Sequence, residues 1–157
     1  MEVFKINQKH WLKYAANCIK DGLHRSGYVV IDSPVAIVYD KQQVDESVCN
    51  GLGYEVYEAF NNGGTILGNP GDIVIGYMGE PGTEWRDNFV AYFVDWLKDK
   101  GLNAEYVKND VLVDGYKVCG MCVTRYGRID YTGGIISLNV NLDHIKAICK
   151  KPMEKVP

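Results

Sequence analysis

The sequence lacks the features that mark several large classes of protein. Its net charge is -3, and no basic cluster stands out except Lys150-Lys151, so nothing favours binding to nucleic acid. No apolar run approaches the roughly 18 residues that a membrane-spanning helix needs. The N-terminal stretch "MEVFKINQKHW" has no signal-peptide core. We therefore expect a cytoplasmic protein that binds neither nucleic acid nor membranes.

Cysteine is present in an odd number and is scattered through the chain, which argues against a disulfide framework. The segment "CGMC" at 119–122 contains one CxxC pair, a weak zinc signal without a second pair. In a strand, residues i and i+3 point to opposite faces. We therefore expect buried thiols at the five cysteines: Cys18, Cys49, Cys119, Cys122 and Cys149.

The patterns that are present predict an α+β protein. A chain of 157 residues with 46% apolar residues is of ordinary size for one domain, and we expect residues 1–157 to form it. Strand patterns outnumber helix patterns and several neighbours are joined by hairpins, so we expect a central mixed or antiparallel sheet with packed helices. Helical spacing is found at 11–23, with Gly27 as the expected stop, at 84–100 and from Asn141 onward, and residues 43–51 fit a short helix. Strands are predicted at 28–32, 35–40, 54–59, 72–78, 104–107, 111–114, 116–126 and 133–140.

The clearest helix is "TEWRDNFVAYFVDWLKDKG". Thr83 is its expected cap and Gly101 its expected end. Trp85, Phe89, Phe93, Trp96 and Leu97 share one face, and we expect this aromatic stripe to belong to the core because aromatic side chains bury large areas.

Two interpretations fit the glycine-rich segment "NNGGTILGNPGD" at 61–72. It is either a plain turn that uses glycines at positive φ, or a place where backbone amides approach a ligand with no Cβ in the way. The residues alone leave both open.

Three segments read together resemble the catalytic domain of lipoate-protein ligases, within the lipoate- and biotin-ligase superfamily. A glycine run is followed by a short turn, an Asn-Asp pair precedes a hairpin, and a lysine on the return strand is followed by a small residue and a glycine. A strand ending in Leu-Asn then leads into a short helix. The matching positions are Gly63-Gly64-Thr65-Ile66-Leu67, Asn109-Asp110, Lys117 with Cys119-Gly120, and "IISLNVNLDHI" at 135–145.

The resemblance implies an enzyme that uses ATP to activate lipoate, or a related medium-chain acid, as acyl-AMP and transfers the acyl group to a lysine of a lipoyl acceptor domain or carrier protein. Lys117 is then the catalytic residue, a positive charge that touches both the carboxylate and the α-phosphate. Asp110 is the implied ligand of Mg²⁺. Nucleotide contacts fall on Gly63, Gly64, Thr65, Ile66, Leu67, Asn109, Asp110 and Lys117, and contacts to the acid on Gly63, Gly64, Lys117 and Gly120. From the residues alone, an exposed lysine beside the expected hairpin turn at Asp114-Gly115 is the commoner case.

The sequence departs from the family pattern ahead of the glycine run. Where the family carries an arginine pair, this chain has Glu58-Ala59-Phe60-Asn61-Asn62. Lys41 or Arg125 would have to replace that positive charge. We also expect no accessory C-terminal domain, which implies a separate partner subunit or a different role.

Two other functions stay open beside the ligase. One is a binding module or partner subunit that kept the fold and lost catalysis. The other is octanoyl or lipoyl transfer through an acyl-cysteine at Cys119 or Cys122. Biotin ligation is disfavoured because the basic Gly-Arg loop of biotin ligases is missing.

Overall fold

The structure, a computed structural model, describes residues 2–59 and 64–149. Within these ranges the chain forms ten β-strands and four α-helices. The strands are β1 (Val3–Lys5), β2 (Arg25–Val30), β3 (Val35–Val38), β4 (Glu55–Glu58), β5 (Ile66–Gly68), β6 (Ile73–Gly79), β7 (Ala104–Val107), β8 (Asp110–Val113), β9 (Tyr116–Tyr126) and β10 (Ile129–Ile136). The helices are α1 (Trp11–Asp21), α2 (Glu46–Gly51), α3 (Glu84–Asp99) and α4 (Leu142–Ile148). No helix in these ranges is long and apolar enough to cross a membrane.

The strands form two sheets. The larger sheet has the order β1-β2-β6-β10-β9-β8-β7, in which β1 and β2 are parallel and all other neighbours are antiparallel. The smaller sheet has the order β4-β3-β5, with β3 parallel to β4 and antiparallel to β5. The predicted α+β class with a large mixed sheet and packed helices is confirmed, and the separate small sheet is a feature that the sequence did not reveal.

One core lies between the large sheet and a layer made of α1 and the small sheet. Trp11 of α1 lies directly on the large sheet because β6 carries a glycine there, and a Cβ added at Gly76 would overlap the indole. Trp11 also packs against Tyr131 of β10, with ring centroids 5.9 Å apart. The buried members are Trp11, Ala15, Cys18, Val29, Ile31, Val35, Ile37, Val74, Met78, Ile129, Tyr131 and Ile135.

A second core lies on the opposite face of the large sheet, under α3. The helix buries Val90, Val94 and Leu97 there. The predicted aromatic face is therefore only partly correct. Trp85 and the two phenylalanines are half-buried at the side of this core, and the rings stack on one another along the helix, while Trp96 is 48% exposed. The buried row of Val90, Val94 and Leu97 lies about 100° around the helix from the aromatic row, so the prediction was right for Leu97 and overlooked the two valines.

The ends of the helices show which glycines act as stops. Helix α1 ends at Gly22, whose φ of 66° is left-handed, and not at the expected Gly27. Gly27 instead lies in β2, where a Cβ would stand 2.9 Å from the carbonyl oxygen of Phe4 in β1. Gly101 ends α3 as predicted, with a φ of 80°. Thr83 occupies the N-cap position of α3, but its hydroxyl donates to the Asp87 carboxylate and makes no cap hydrogen bond.

The Asp-Gly turn between β8 and β9 has the predicted form. Asp114 and Gly115 are its two loop residues, and both have positive φ, at 50° and 79°. Positive φ at both positions identifies a type I′ turn, whose twist matches that of the flanking strands. This turn fixes the start of β9, the strand that carries Lys117.

The second half of the glycine-rich segment is held by a buried carboxylate. Asp72 is 1% exposed and accepts hydrogen bonds from the backbone N–H groups of Asn69 at 2.8 Å, Leu138 at 2.6 Å and Asn139 at 3.1 Å. Gly71 turns the chain there with a φ of 97°. Residues 69–72 therefore form a structural turn tied to the segment after β10.

Candidate active site

Lys117 and Asp110 form an ion pair between neighbouring strands. The Lys117 Nζ lies 2.8 Å from the Asp110 Oδ1, and the two side chains are 56% and 38% exposed. Asp110 begins β8 and Lys117 lies near the start of β9. The sheet thus fixes the backbone of both residues, while the ammonium and the carboxylate remain open to solvent.

A β-bulge sets the direction of the Lys117 side chain. Asp110 pairs with Gly120 and Val111 with Cys119, but the register then shifts so that Leu112 pairs with Lys117. Val118 is the extra residue on β9. In an unbroken strand, Lys117 would point to the same face as Cys119. The bulge instead turns it to the face of Gly120, where a Cβ would lie 2.7 Å from the Lys117 Cε and 2.8 Å from its Nζ.

The face to which Lys117 turns is the one that receives the small sheet. Cys119 of β9 lies in the core under α3, whereas Cys122 packs against the core shared with α1 and the small sheet. Gly120 is two residues from Cys122 and shares its face. Ile66 of β5 packs against the same core. The Lys117–Asp110 pair and the strand that follows the glycine run therefore lie on one side of the large sheet.

The glycine run is only partly within the described residues. Gly63 lies outside them, and with it Phe60, Asn61 and Asn62. At Gly64, no atom lies within 4 Å of the position that a Cβ would take, so its surroundings are open.

The residues after Gly64 are held by the small sheet and its neighbours. The Thr65 hydroxyl donates to the Gln43 Oε1 at 3.2 Å. In β5, Ile66 faces the core under α1 and Leu67 faces the core formed with α2 and α4. The backbone of both pairs with β3.

Asn109 is held mainly by its backbone and by α3. Its carbonyl accepts from the N–H of Met121 at 2.8 Å, and its side-chain Oδ1 accepts from the Arg86 Nη1 at 3.4 Å. Arg86 also pairs with Asp87 at 2.9 Å. The structure thus brings Lys117, Asp110 and Gly120 together and ties the Asn109 amide to the helix. Arg86 was not singled out from the sequence, where nothing distinguishes it from other helix-surface arginines.

The two cations expected to replace the missing arginine pair, Lys41 and Arg125, have different surroundings. Arg125 is committed to Asp130, with its Nε 2.8 Å from one carboxylate oxygen and its Nη2 3.1 Å from the other. Lys41 lies 4.0 Å from Glu58, and its side chain is 56% exposed. Lys41 is therefore the cation that stays available, and it lies beside the strand that leads into the glycine run.

The structure argues against Cys119 as a nucleophile. Cys119 is 1% exposed, and this burial raises the pKa of its thiol to about 12. A thiol with that pKa has almost no thiolate at neutral pH. The predicted separation of the CxxC pair is confirmed, because Cys119 and Cys122 pack against cores on opposite faces of the sheet.

The site offers a single carboxylate to a metal ion. No group of three or more His, Cys, Asp or Glu side chains in the described part of the chain could hold a metal by itself. Asp110 fits the narrower requirement of Mg²⁺, which takes one or two protein carboxylates and completes its shell with phosphate oxygens and water. Its carboxylate is partly exposed beside the lysine.

The profile of a known family covers most of the chain. It is described as "Lipoyl protein ligase A/B catalytic domain" and matches residues 22–157. The chain belongs to this family. The family is one of ligase-type enzymes, and the matched range contains Lys117, Asp110, Gly120 and the glycine run. No curated protein matches the sequence.

Solved structures of lipoate-protein ligases share the fold. A chain of an archaeal lipoylation system, a bi-partite lipoate protein ligase and its lipoyl domain from Thermoplasma acidophilum, superposes with a TM-score of 0.79 at 17% identity, covering 98% of this chain and 67% of that one. Lipoate-protein ligase A bound with ATP gives 0.77 at 15% identity, covering 96% and 72%. Plasmodium falciparum LipL1 in complex with lipoate gives 0.78 at 12% identity, covering 94% and 51%. At these identities the likeness shows the fold of the lipoyl protein ligase family and no more.

Proposed function

We propose that the protein activates lipoate, or a related medium-chain acid, with ATP and passes the acyl group to a lysine of an acceptor domain. The observation that carries the proposal is the Lys117 ammonium, held 2.8 Å from Asp110 on the sheet face that also receives the strand after the glycine run. Family membership and the likeness to ligase structures with ATP or lipoate support the choice of substrates.

The chemistry of activation needs a positive charge at this place. A carboxylate oxygen of the acid attacks the α-phosphorus of ATP, the bond to the bridging oxygen breaks and pyrophosphate leaves. Two anions must meet in this step. An ammonium fixed between them offsets their repulsion and stabilises the charge that develops on the phosphate, which is usually the largest catalytic term.

The second half-reaction uses the same residue. The amine of the acceptor lysine attacks the acyl carbonyl, the bond to the phosphate oxygen breaks, and AMP leaves. Lys117 stabilises the leaving phosphate, and the backbone at Gly63 and Gly64 approaches the ligand where no side chain intervenes. Thr65, Ile66, Leu67 and Asn109 complete the proposed nucleotide contacts. Bound Mg²⁺ would neutralise phosphate charge, and Asp110 is the residue that would hold it.

The direct test is exchange of labelled pyrophosphate into ATP in the presence of lipoate or octanoate. We expect acid-dependent exchange in the wild type and a fall of about 100-fold or more in Lys117→Ala, because a preorganised charge is removed. Lys98→Ala, which removes an exposed lysine from the last turn of α3, is the matched control and should keep the wild-type rate. Undiminished exchange in Lys117→Ala would contradict the proposal.

A binding module is the second candidate, and the missing arginine pair favours it. Arg125 is held by Asp130, so it does not replace that pair. If the wild type shows no exchange with any acid while lipoate still raises its melting temperature, the fold serves ligand binding without activation.

A separate accessory subunit is a further part of the proposal. The bi-partite ligase of Thermoplasma acidophilum supports it, since that ligase works as two parts. Transfer to the acceptor is the step expected to depend on such a subunit. Acyl transfer to an isolated lipoyl domain, followed by mass spectrometry, would then be slow with this chain alone even where pyrophosphate exchange is fast.

A further inference from the structure

We propose that Gly120 and Asp110 act as a pair of positioning residues that hold the Lys117 ammonium at one place on the sheet. The catalytic benefit of this arrangement rests on the proposed function. The position of the ammonium itself can be measured in the protein without ligands. It also changes the interpretation of Gly120, from a contact to the acid into the platform on which the lysine lies.

The first observation is the fit between Gly120 and the lysine side chain. A Cβ at residue 120 would stand 2.7 Å from the Lys117 Cε and 2.8 Å from its Nζ, which is closer than non-bonded carbon atoms approach. The φ of Gly120 is not positive, so its backbone conformation is one that other residues also adopt. The glycine is therefore required by the lysine above it and not by the backbone conformation.

The second observation is that the ammonium has one anchor on the neighbouring strand. Asp110 pairs directly with Gly120 across the sheet, so the carboxylate stands beside the bare backbone on which the lysine lies. Its Oδ1 is 2.8 Å from the Lys117 Nζ and 3.4 Å from the place of the missing Cβ. Glycine removes the obstacle below the ammonium, and the carboxylate fixes it from the side.

The third observation is the bulge at Val118. In an unbroken strand the Lys117 side chain would lie on the α3 face. The bulge turns it to the opposite face, which is the face of Gly120. Bulge, glycine and carboxylate all act on the same amine. Together they restrict a long side chain that is otherwise 56% exposed and would move freely between rotamers.

Gly120→Ala is the discriminating variant because it should fold and still displace the amine. The atoms that a Cβ would meet are the far end of a flexible lysine, which can move aside at little cost in stability. The matched control is Gly51→Ala in α2, where no atom lies within 4 Å of the new Cβ and φ is not positive. Asp110→Asn is the companion variant, since it removes the charge of the anchor and keeps its shape.

The first measurement is the lysine-selective ¹H–¹⁵N spectrum of the ligand-free protein, with the Lys117 signal assigned by Lys117→Arg. We expect the ammonium protons of Lys117 to exchange with water more slowly than those of Lys98 on α3. In Gly120→Ala and Asp110→Asn the signal should shift and exchange faster, while Gly51→Ala leaves it unchanged. An unchanged Lys117 signal in Gly120→Ala would overturn the proposal whatever the protein catalyses.

The second measurement is pyrophosphate exchange with the same variants. A displacement of about 1 Å can cost roughly 100-fold in rate, so Gly120→Ala should lower kcat about 10- to 100-fold with smaller changes in KM. Its melting temperature should stay close to that of the wild type. A shifted signal together with an unchanged kcat would overturn the positioning role. If the wild type shows no pyrophosphate exchange, the proposed function is refuted. The spectrum of Lys117 still tests whether Gly120 and Asp110 hold the ammonium in place.

Discussion

At the scale of single residues, three aspartates show what distinguishes a structural carboxylate from a functional one. Asp72 is buried and its oxygens accept three backbone N–H groups, and Asp130 is buried against a guanidinium and one backbone N–H. Both carboxylates therefore already have their hydrogen-bond donors within the protein. Asp110 is 38% exposed and its partner Lys117 is 56% exposed, so a ligand can reach this pair. We therefore propose that the exposed pair, and neither buried aspartate, carries the chemistry.

The pair of Asp130 and Arg125 leads to a prediction about acid stability. The hydrogen bonds from Arg125, the N–H of Gly82 and the nearby positive charge lower the pKa of Asp130, against the opposing effect of burial. Because the native pKa lies below the unfolded value of about 3.9, the ionised carboxylate stabilises the fold above that pH, and the contribution is lost as pH falls through the native pKa.

Asp130→Asn should therefore lower the free energy of unfolding by about 2 kcal/mol at pH 7, with less effect near pH 2. Urea denaturation at both pH values measures this. Asp99→Asn, at the exposed end of α3, is the control and should change stability little at either pH. An equal loss at both pH values would show that charge is not the cause.

At the scale of single elements, the contacts of one helix depend on one glycine. Helix α1 lies on the large sheet through Trp11, and Gly76 of β6 makes room for the indole. The same helix buries Ala15 and Cys18 against the sheet. The position of α1 is thus set by a residue on a distant strand, and filling that space should push the helix away.

Gly76→Ala should lower the free energy of unfolding by about 1–3 kcal/mol, since the added methyl group overlaps a buried ring that cannot easily move. Chemical denaturation followed by far-ultraviolet circular dichroism measures the change. Gly51→Ala in α2 meets no atom within 4 Å and should be neutral or slightly stabilising, because alanine is the better helix former. If both variants behave alike, close packing at Gly76 is not what positions the helix.

At the scale of the whole molecule, the two sheets share one core. Ile37 of the small sheet and Val74 of the large sheet belong to the same buried cluster, and Asp72 joins the turn after β5 to the segment after β10. Separating the sheets would expose the cluster and leave the Asp72 carboxylate without its backbone donors. We therefore expect the two sheets to unfold together.

Cooperative unfolding can be tested with a single fluorescent reporter. In Trp85→Phe/Trp96→Phe, the remaining Trp11 lies in the shared core. Its fluorescence midpoint in urea should coincide with the midpoint from far-ultraviolet circular dichroism, as a two-state transition requires. Two separate midpoints would show that the sheets unfold independently.

Much of this architecture was predictable from local patterns. The periodicity of apolar residues predicted α1, α3, α4 and most of the strands. The Asp114-Gly115 pair predicted a hairpin turn because few residues adopt positive φ without cost. The proposal of Lys117 and Asp110 as site residues came from the family resemblance, which rests on the order and spacing of the motifs. The stop of α1 at Gly22 and the aliphatic row of α3 were misjudged because several glycines and several apolar rows fitted the same local rules.

The sequence by itself therefore determined the order and type of the elements and the residues that carry charge, because these depend on neighbours a few positions apart. Tertiary structure alone decided which face Lys117 occupies, that Gly120 lies beneath it, and that Arg125 belongs to Asp130. It also split the strands into two sheets and joined Asp72 to Leu138, 66 residues away. Such choices depend on strand register and on partners distant in the chain, and a shift of one residue at a bulge reverses the face of a side chain.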